Sequence, residues 1–248
     1  MDVKFNKFVV PTQPISSGSE LVHGIRYNAT SGQMTRHGVK VDAVPKISAL
    51  TDFLTYLRCF DKPVLMGHGI GTFDVPILLN QYHDIQLMDN FSSLGQVYMD
   101  TLVIARELIP PAEVPNFKLS SLVSQYTNVS VDHHDARMDA FAVQELFYAR
   151  LQHITESKYL YPILYPVYYD SFNDLLTRKR ITYVNAIQLA KSGLSLRHVY
   201  AAYELDGENG MSKLLSQTDV TGRPRVDDVP NLVKLFASLI TDSRQAAD

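Results

Sequence analysis

Residues 63–76 read PVLMGHGIGTFDVP, and this stretch decides the expected fold. The compact apolar run 63–67 predicts a buried strand, and residues 73–82 have helical periodicity. A strand that leads through a glycine-rich turn into a helix is typical of α/β proteins, whose ligand sites lie at the carboxyl ends of strands. Asp74 would lie at such an end, so we expect it to be a candidate ligand.

Asp74 also has an ordinary structural interpretation. An aspartate shortly before a proline, here two residues before Pro76, is a common arrangement at the start of a helix. The glycines of the turn match neither a dinucleotide fingerprint nor a phosphate-binding loop. On this stretch alone, both interpretations stay open.

A second informative stretch, residues 133–140, reads HHDARMDA. It leads into a strongly amphipathic helix, on which Asp139 shares a stripe with Val143. An ionised carboxylate on a core-facing stripe is costly unless it is compensated, and a divalent cation would compensate it. His134, just before this helix, could then deprotonate a metal-bound water. Alternatively, Asp135 and Asp139 form an acidic first turn that the helix dipole favours.

The composition is that of a globular protein. The chain has 248 residues, of which 46% are hydrophobic and 20% charged. A net charge of −3 argues against a protein that coats nucleic acid nonspecifically, so any phosphate site is expected to be local. The single cysteine, Cys59, lies in an apolar helical pattern and is expected to be buried in a reducing compartment. We expect neither a membrane span nor a secretory signal, and therefore an intracellular protein.

Two domains are expected, at residues 1–157 and 158–248. The segment 159–166 reads YLYPILYP, and its prolines exclude one continuous helix, which indicates a joint. Helical periods follow at residues 171–176, 183–191, 195–204 and 230–240, so the second domain is expected to be helical. In the first domain, residues 8–10 are expected to form a strand, while residues 98–106 could be strand or helix.

The order of these motifs resembles that of the DEDDh-type (DnaQ-like) 3′→5′ exonucleases. The resemblance covers Phe73 with Asp74, then Asp100, then residues 117–119, and finally His134 with Asp139. It implies an α/β, ribonuclease H-like fold. The implied partners are single-stranded 3′ ends of DNA or RNA.

The same resemblance implies the roles of particular residues. Asp74 and Asp139 would be ligands of a two-metal site holding Mg²⁺ or Mn²⁺, with His134 as the general base. Asp100 and His68 would be structural residues that help to hold these three residues in place. The family's first motif, Asp-x-Glu on the central strand, has no counterpart here. The resemblance therefore implies a domain without its first strands, which alone would bind metal weakly and not cut nucleic acid.

A narrower resemblance extends over nearly the whole chain. Residues 117–122 (FKLSSL), 191–198 (KSGLSLRH) and 206–210 (DGENG) resemble the exonuclease-like carboxyl-terminal region of promyelocytic leukaemia (PML) proteins and PML-like proteins of fishes. This implies a nuclear location. Three hypotheses follow: a truncated active nuclease, a non-catalytic module that binds nucleic acid or protein on the same fold, and a helical scaffold. Protein partners would bind through the helical domain.

Overall fold

The computed structural model describes residues 4–130, 135–153, 157–219 and 222–245. The chain is of mixed α/β type and divides into two compact units, Met1–Tyr159 and Leu160–Asp248. The sequence placed the joint at residue 157. No helix of the described ranges is long and apolar enough to cross a membrane.

The first unit contains short strands and seven α-helices in its described part. The strands are β1 (Phe8–Val9), β2 (Ile25–Asn28), β3 (Gln33–Arg36), β4 (Val39–Val41), β5 (Ala43–Val44), β6 (Val64–Gly67) and β7 (Val97–Asp100). The helices are α1 (Ser17–His23), α2 (Lys46–Leu57), α3 (Asp74–Asp84), α4 (Met88–Ser92), α5 (Thr101–Leu108), α6 (Leu119–Tyr126) and α7 (Ala136–Leu146).

Strand β6 is the predicted apolar strand, and it pairs in parallel with β7 so that Gly67 lies opposite Asp100. Residues 98–106, which were ambiguous, contain both kinds of structure. Strand β7 ends at Asp100. The Asp100 side chain accepts a hydrogen bond from the backbone N–H of Leu102 and so starts α5. Because the chain changes from strand to helix within residues 98–106, neither the strand period nor the helix period dominates their sequence pattern.

A three-stranded antiparallel sheet, β2-β3-β4, was not foreseen from the sequence. Asn28 ends β2, and its side-chain oxygen accepts hydrogen bonds from the backbone N–H groups of Thr30 and Ser31. The next turn uses His37 and Gly38, both with positive φ. The strands have three or four residues each, too few for a clear alternation.

Helices α5, α6 and α7 enclose the core of the first unit. Ile104, Leu122 and Leu146 are fully buried there, one from each helix. Their packing places the first turn of α7, and therefore Asp139, against a fixed support. The amphipathic helix expected at the end of residues 133–140 is confirmed as α7.

The expectation that Cys59 is buried is wrong, because the residue is exposed. Helix α2 ends at Leu57, so Cys59 lies beyond the face that the helix presents to the core. The apolar pattern of the sequence continued past the point where the helix stops.

The second unit is mainly helical. Its elements are a short strand, β8 (Leu160–Pro162), and the helices α8 (Tyr165–Asp170), α9 (Asn173–Thr177), α10 (Tyr183–Lys191), α11 (Leu196–Leu215) and α12 (Val229–Gln245). Its core includes the buried side chains of Phe172, Leu189, Met211 and Phe236.

The helical period at residues 195–204 ends where expected, because helical geometry is broken at Asp206 and Gly207. The range of α11 therefore contains two helical segments joined by a kink. Gly207 supplies a backbone conformation (φ 55°, ψ −140°) that other residues rarely adopt. At Gly210 a β-carbon would lie 2.0 Å from the carbonyl oxygen of Ala202, so the kink brings the two halves of the helix close together.

Candidate functional site

A cavity of about 1050 Å³ lies at the carboxyl end of β6, and both predicted metal ligands line it. Asp74 is the first residue of α3, and Asp139 lies in the first turn of α7. Two aspartates that are far apart in the sequence therefore share one cavity. This is the position at which α/β proteins bind ligands.

One face of α7 presents Asp139 to the cavity. Ala136, Asp139, Ala140 and Val143 all line it, and this spacing places the four residues on a single helical face. The two alanines beside Asp139 have small side chains, which leave room for a ligand next to the carboxylate. Asp139 is thus the one charged residue among these four.

The environment of Asp74 opposes its negative charge. Partial burial raises the pKa of the Asp74 carboxyl above its usual value, and the nearby charge of Asp100 raises it further, while a hydrogen bond to the backbone lowers it. A nearby cation would offset both effects and stabilise the ionised carboxylate of Asp74.

Asp100 is buried and holds the turn that leads to Asp74. Its carboxylate accepts backbone hydrogen bonds from Gly69 at 2.8 Å, Gly71 at 3.2 Å and Leu102 at 2.9 Å. A β-carbon at Gly71 would lie 2.9 Å from the ring of Tyr98, so the turn approaches the sheet too closely for a larger residue. Asp100 acts here on the backbone rather than in the cavity.

His68 lines the cavity and links three segments of the chain. Its Nε2 lies 2.8 Å from the carbonyl oxygen of Phe117, and its Nδ1 lies 3.1 Å from the hydroxyl of Thr101. Because a carbonyl can only accept, Nε2 carries the proton. Burial lowers the pKa of His68, although the bond to Phe117 and the charge of Asp100 oppose this, so the neutral form is favoured.

Lys118 lines the same cavity, which the sequence analysis did not anticipate. Its backbone N–H donates to the side-chain oxygen of Asn116 at 2.9 Å, and the preceding carbonyl, of Phe117, is held by His68. The cavity therefore has one cationic side chain beside two acidic ones. A single lysine before an amphipathic helix is too common in sequences to indicate a site.

An ion pair fixes the start of α7. Asp135 caps the helix by accepting from the backbone N–H of Arg137, and its carboxylate also bonds the guanidinium groups of Arg36 and Arg137. Burial alone would raise the pKa of the Asp135 carboxyl, but these three hydrogen bonds and the charge of Arg36 hold it well below its usual range. Of the two acids expected in this turn, Asp135 is the structural one.

The proposed general base, His134, lies outside the described residues. Within the described ranges, no group of three or more His, Cys, Asp or Glu side chains is close enough to hold a metal ion. Asp74 and Asp139 thus supply two carboxylates to the cavity. Mg²⁺ typically takes one or two carboxylates and completes its octahedron with water and substrate phosphates, so these residues suit a weak site.

Two comparisons with known proteins relate to this arrangement. The family model "PML, C-terminal domain" matches residues 168–237, inside the second unit. This range contains two of the three segments that resemble PML proteins. A DNA polymerase III of the PolC type from Lacticaseibacillus paracasei is 36% identical over 97 residues.

The match to the polymerase covers 39% of this chain and 6% of the polymerase, so the chain spans a small part of that relative. The second unit, Leu160–Asp248, is shorter than the 97 matched residues. The matched stretch therefore includes residues of the first unit.

Proposed function

We propose that the first unit is a nuclease domain of the ribonuclease H-like, DnaQ-like exonuclease type, and that this chain by itself does not cleave nucleic acid. The observation that carries the proposal is the shared cavity of Asp74 and Asp139 at the carboxyl end of β6. The similarity to a DNA polymerase, whose name says that it acts on nucleic acid, also supports the proposal.

The proposed substrates are single-stranded 3′ ends of DNA or RNA. Phe73 is two-thirds exposed, lies directly before Asp74 and lines the cavity, so its ring is available for a base to stack on. Lys118 lines the same cavity and offers an ammonium group to a phosphate. One aromatic and one cationic contact suit the end of a strand.

The proposed cofactor is Mg²⁺ or Mn²⁺, which would activate a water and stabilise the leaving oxygen. Asp74 and Asp139 would hold the ions, and His134 would accept the proton of the attacking water. Asp100 and His68 would keep the turn and the Lys118 loop in place. Two carboxylates are too few for a pair of ions, which is why we propose that the chain alone is inactive.

A second candidate function is a non-catalytic module that binds nucleic acid or protein. Within the described residues, no three His, Cys, Asp or Glu side chains are grouped closely enough to hold a metal ion, which favours it. The match of residues 168–237 to the PML carboxyl-terminal model supports protein partners for the second unit and a nuclear location. Both candidates have the same fold. They differ in whether cleavage of nucleic acid can be restored.

Metal binding tests the site directly. We expect Mn²⁺ to raise the melting temperature of the chain, because a cation relieves the repulsion between acidic groups in the cavity. Asp74→Asn and Asp139→Asn should each abolish most of this increase, while Asp89→Asn, at an exposed position outside the cavity, should retain it. An equal Mn²⁺ effect in all three variants would contradict the proposed site.

Cleavage is tested with a single-stranded DNA oligonucleotide labelled at its 5′ end. We expect no Mn²⁺-dependent shortening by this chain. Shortening that disappears in Asp139→Asn would show that the chain is already active and would refute the proposed inactivity. Shortening that persists in the double variant Asp74→Asn/Asp139→Asn would place the activity elsewhere.

A further inference from the structure

The junction between α10 and α11 contains a helix cap that depends on a histidine. Ser195 is the N-cap of α11, and His198, three residues later, reaches back to it. The backbone N–H of Ser195 donates a hydrogen bond to Nδ1 of His198 at 3.0 Å, and the Ser195 hydroxyl oxygen lies 3.0 Å from the same atom. In such a capping box the third helical residue is usually glutamate or glutamine, which accepts without titrating near neutral pH. Here the cap depends on a group that can gain a proton.

The contact with Ser195 fixes the protonation state of the ring. A backbone N–H can only donate, so Nδ1 of His198 carries a lone pair, and the ring proton of the neutral form lies on Nε2. A protonated ring has an N–H on both nitrogens. Its Nδ1–H would face the N–H of Ser195, donor against donor, and would find its acceptor in the Ser195 hydroxyl instead. Protonation therefore takes the acceptor away from the Ser195 N–H.

The surroundings of His198 favour the neutral ring. Partial burial lowers its pKa, and the positive charges of Arg225 and Arg197 lower it further. The positive end of α11 acts in the same direction, because His198 lies in the first turn of that helix. From α8, Tyr168 packs edge-on against the imidazole with 5.7 Å between ring centroids, and burial raises the pKa of this phenol, so it stays uncharged. His198 as a whole is exposed, so solvent protons reach it directly.

The first turn of α11 is tied to two other helices next to this cap. The backbone N–H of Leu196 donates to the hydroxyl of Ser171, at the end of α8, at 3.0 Å. The backbone N–H of Leu194 donates to the carbonyl of Leu189 in α10 at 2.9 Å, and the Leu194 side chain is buried in the core of the second unit. Ser195 lies between these two bonds in the sequence. Loss of its own bond is therefore expected to loosen the point at which the three helices meet.

We propose that His198 is a pH-sensitive switch that stabilises the α10–α11 junction while its ring is neutral and releases it when the ring is protonated. In the released state Nδ1–H donates to the Ser195 hydroxyl, and the backbone N–H of Ser195 is left to water. The switch operates below pH 6.5, because the pKa of the folded ring lies under its usual value. The unfolded chain then binds the proton more strongly, so the contribution of this cap to stability is present above pH 6.5 and is lost as the pH falls toward the folded pKa. The switch lies in the second unit and does not depend on the proposed nuclease function.

NMR of the isotope-labelled full chain between pH 7 and pH 5 tests the switch. We expect the protection of the Ser195 amide against hydrogen exchange, relative to the intrinsic rate at each pH, to fall by at least about threefold as the His198 ring protonates. His198→Gln keeps an acceptor at the capping position but does not titrate, so protection of Ser195 should stay constant in this variant. His83→Gln, at an exposed position in the first unit, is the matched control and should keep the pH dependence of the unchanged chain.

His198→Ala tests the same bond without a change of pH. It offers no acceptor to the Ser195 N–H, so protection of this amide should be low at both pH values, and the variant is expected to fold because position 198 is exposed. Constant protection of Ser195 while the His198 ring titrates would overturn the switch. A pH dependence that persists in His198→Gln would also overturn it, as would a ring that carries its proton on Nδ1 at pH 7, which the nitrogen chemical shifts of the imidazole report.

Discussion

Arg36, the last residue of β3, and Asp135, the cap of α7, form an ion pair of 2.5 Å in which both side chains are largely buried. The pair joins the antiparallel sheet to the helix that carries Asp139. The position of one candidate metal ligand therefore depends on a sheet that lies about a hundred residues earlier in the chain.

Replacement of Arg36 is expected to destabilise the first unit. Arg36→Met leaves a buried carboxylate with its remaining contacts to Arg137, at a cost of about 3 kcal/mol in unfolding free energy. Urea unfolding at neutral pH measures this change. The matched control is Arg26→Met: this exposed arginine lies on β2 of the same sheet and pairs with Glu20 of α1, and its loss should cost less than about 1 kcal/mol.

The same carboxylate should make stability depend on pH in the acid range. The pKa of Asp135 is lowered from 3.8 in the folded chain, so its contribution is present above about pH 4 and is lost as the pH falls toward the folded pKa. Asp135→Asn lacks this contribution at every pH. The stability difference between the two chains should therefore shrink below pH 4 in urea titrations. A difference that is constant from pH 7 to pH 3 would contradict the lowered pKa.

Asp100→Asn should loosen the turn at one point. The Oδ1 atom of Asp100 accepts from Gly69 and Leu102, and Oδ2 accepts from Gly71. In asparagine an NH₂ group takes the place of one oxygen, so one N–H donor would face another. We expect a loss of about 1–3 kcal/mol in unfolding free energy. If the amide oxygen of asparagine takes the position of Oδ1, its NH₂ group faces the N–H of Gly71, and hydrogen exchange at Gly71 should become faster. Asp89→Asn is the control and should change neither quantity.

The partly buried ring of His68 predicts a second pH effect. Its pKa lies below 6.5 in the folded chain, so between the folded pKa and 6.5 the unfolded chain binds the proton more strongly. Stability should fall as the pH drops below 6.5, and His68→Gln should flatten this dependence. A proton NMR titration of the ring checks the cause. A ring that protonates above pH 6.5 would be the contrary result.

The kink of α11 predicts a large effect of one methyl group. In Gly210→Ala the new β-carbon would meet the Ala202 carbonyl, so the backbone must shift, at a cost of about 2–3 kcal/mol. Thermal unfolding of the whole chain measures the loss. Gly18→Ala, in α1, places its β-carbon 4.0 Å from its nearest neighbour, the hydroxyl of Ser16, and should be neutral or stabilising. Equal effects of both changes would mean that the close approach at Gly210 does not exist.

Much of the candidate site could be predicted because its residues lie where strong local patterns end. Asp74 follows an apolar strand and a glycine turn, and Asp139 begins a long amphipathic helix, so each was assigned from its own stretch. That they share a cavity came from the motif order of a resembling family. The structural placement of His134 stays untested, as do the roles given to all five predicted site residues.

The parts that could not be predicted depend on long-range contacts. The pair of Arg36 and Asp135 joins two segments that are far apart in the sequence, and neither local sequence predicts contact with the other. Lys118 lines the cavity, and the carbonyl of the preceding residue, Phe117, is bonded to His68, which lies 49 residues earlier in the chain.

The exposure of Cys59 has a consequence for purified material. Because the chain has one cysteine, oxidation in air can join two molecules through a single disulfide and then has no thiol left to react. Covalent products should therefore stop at a reducible dimer, with no ladder of larger species on a non-reducing gel.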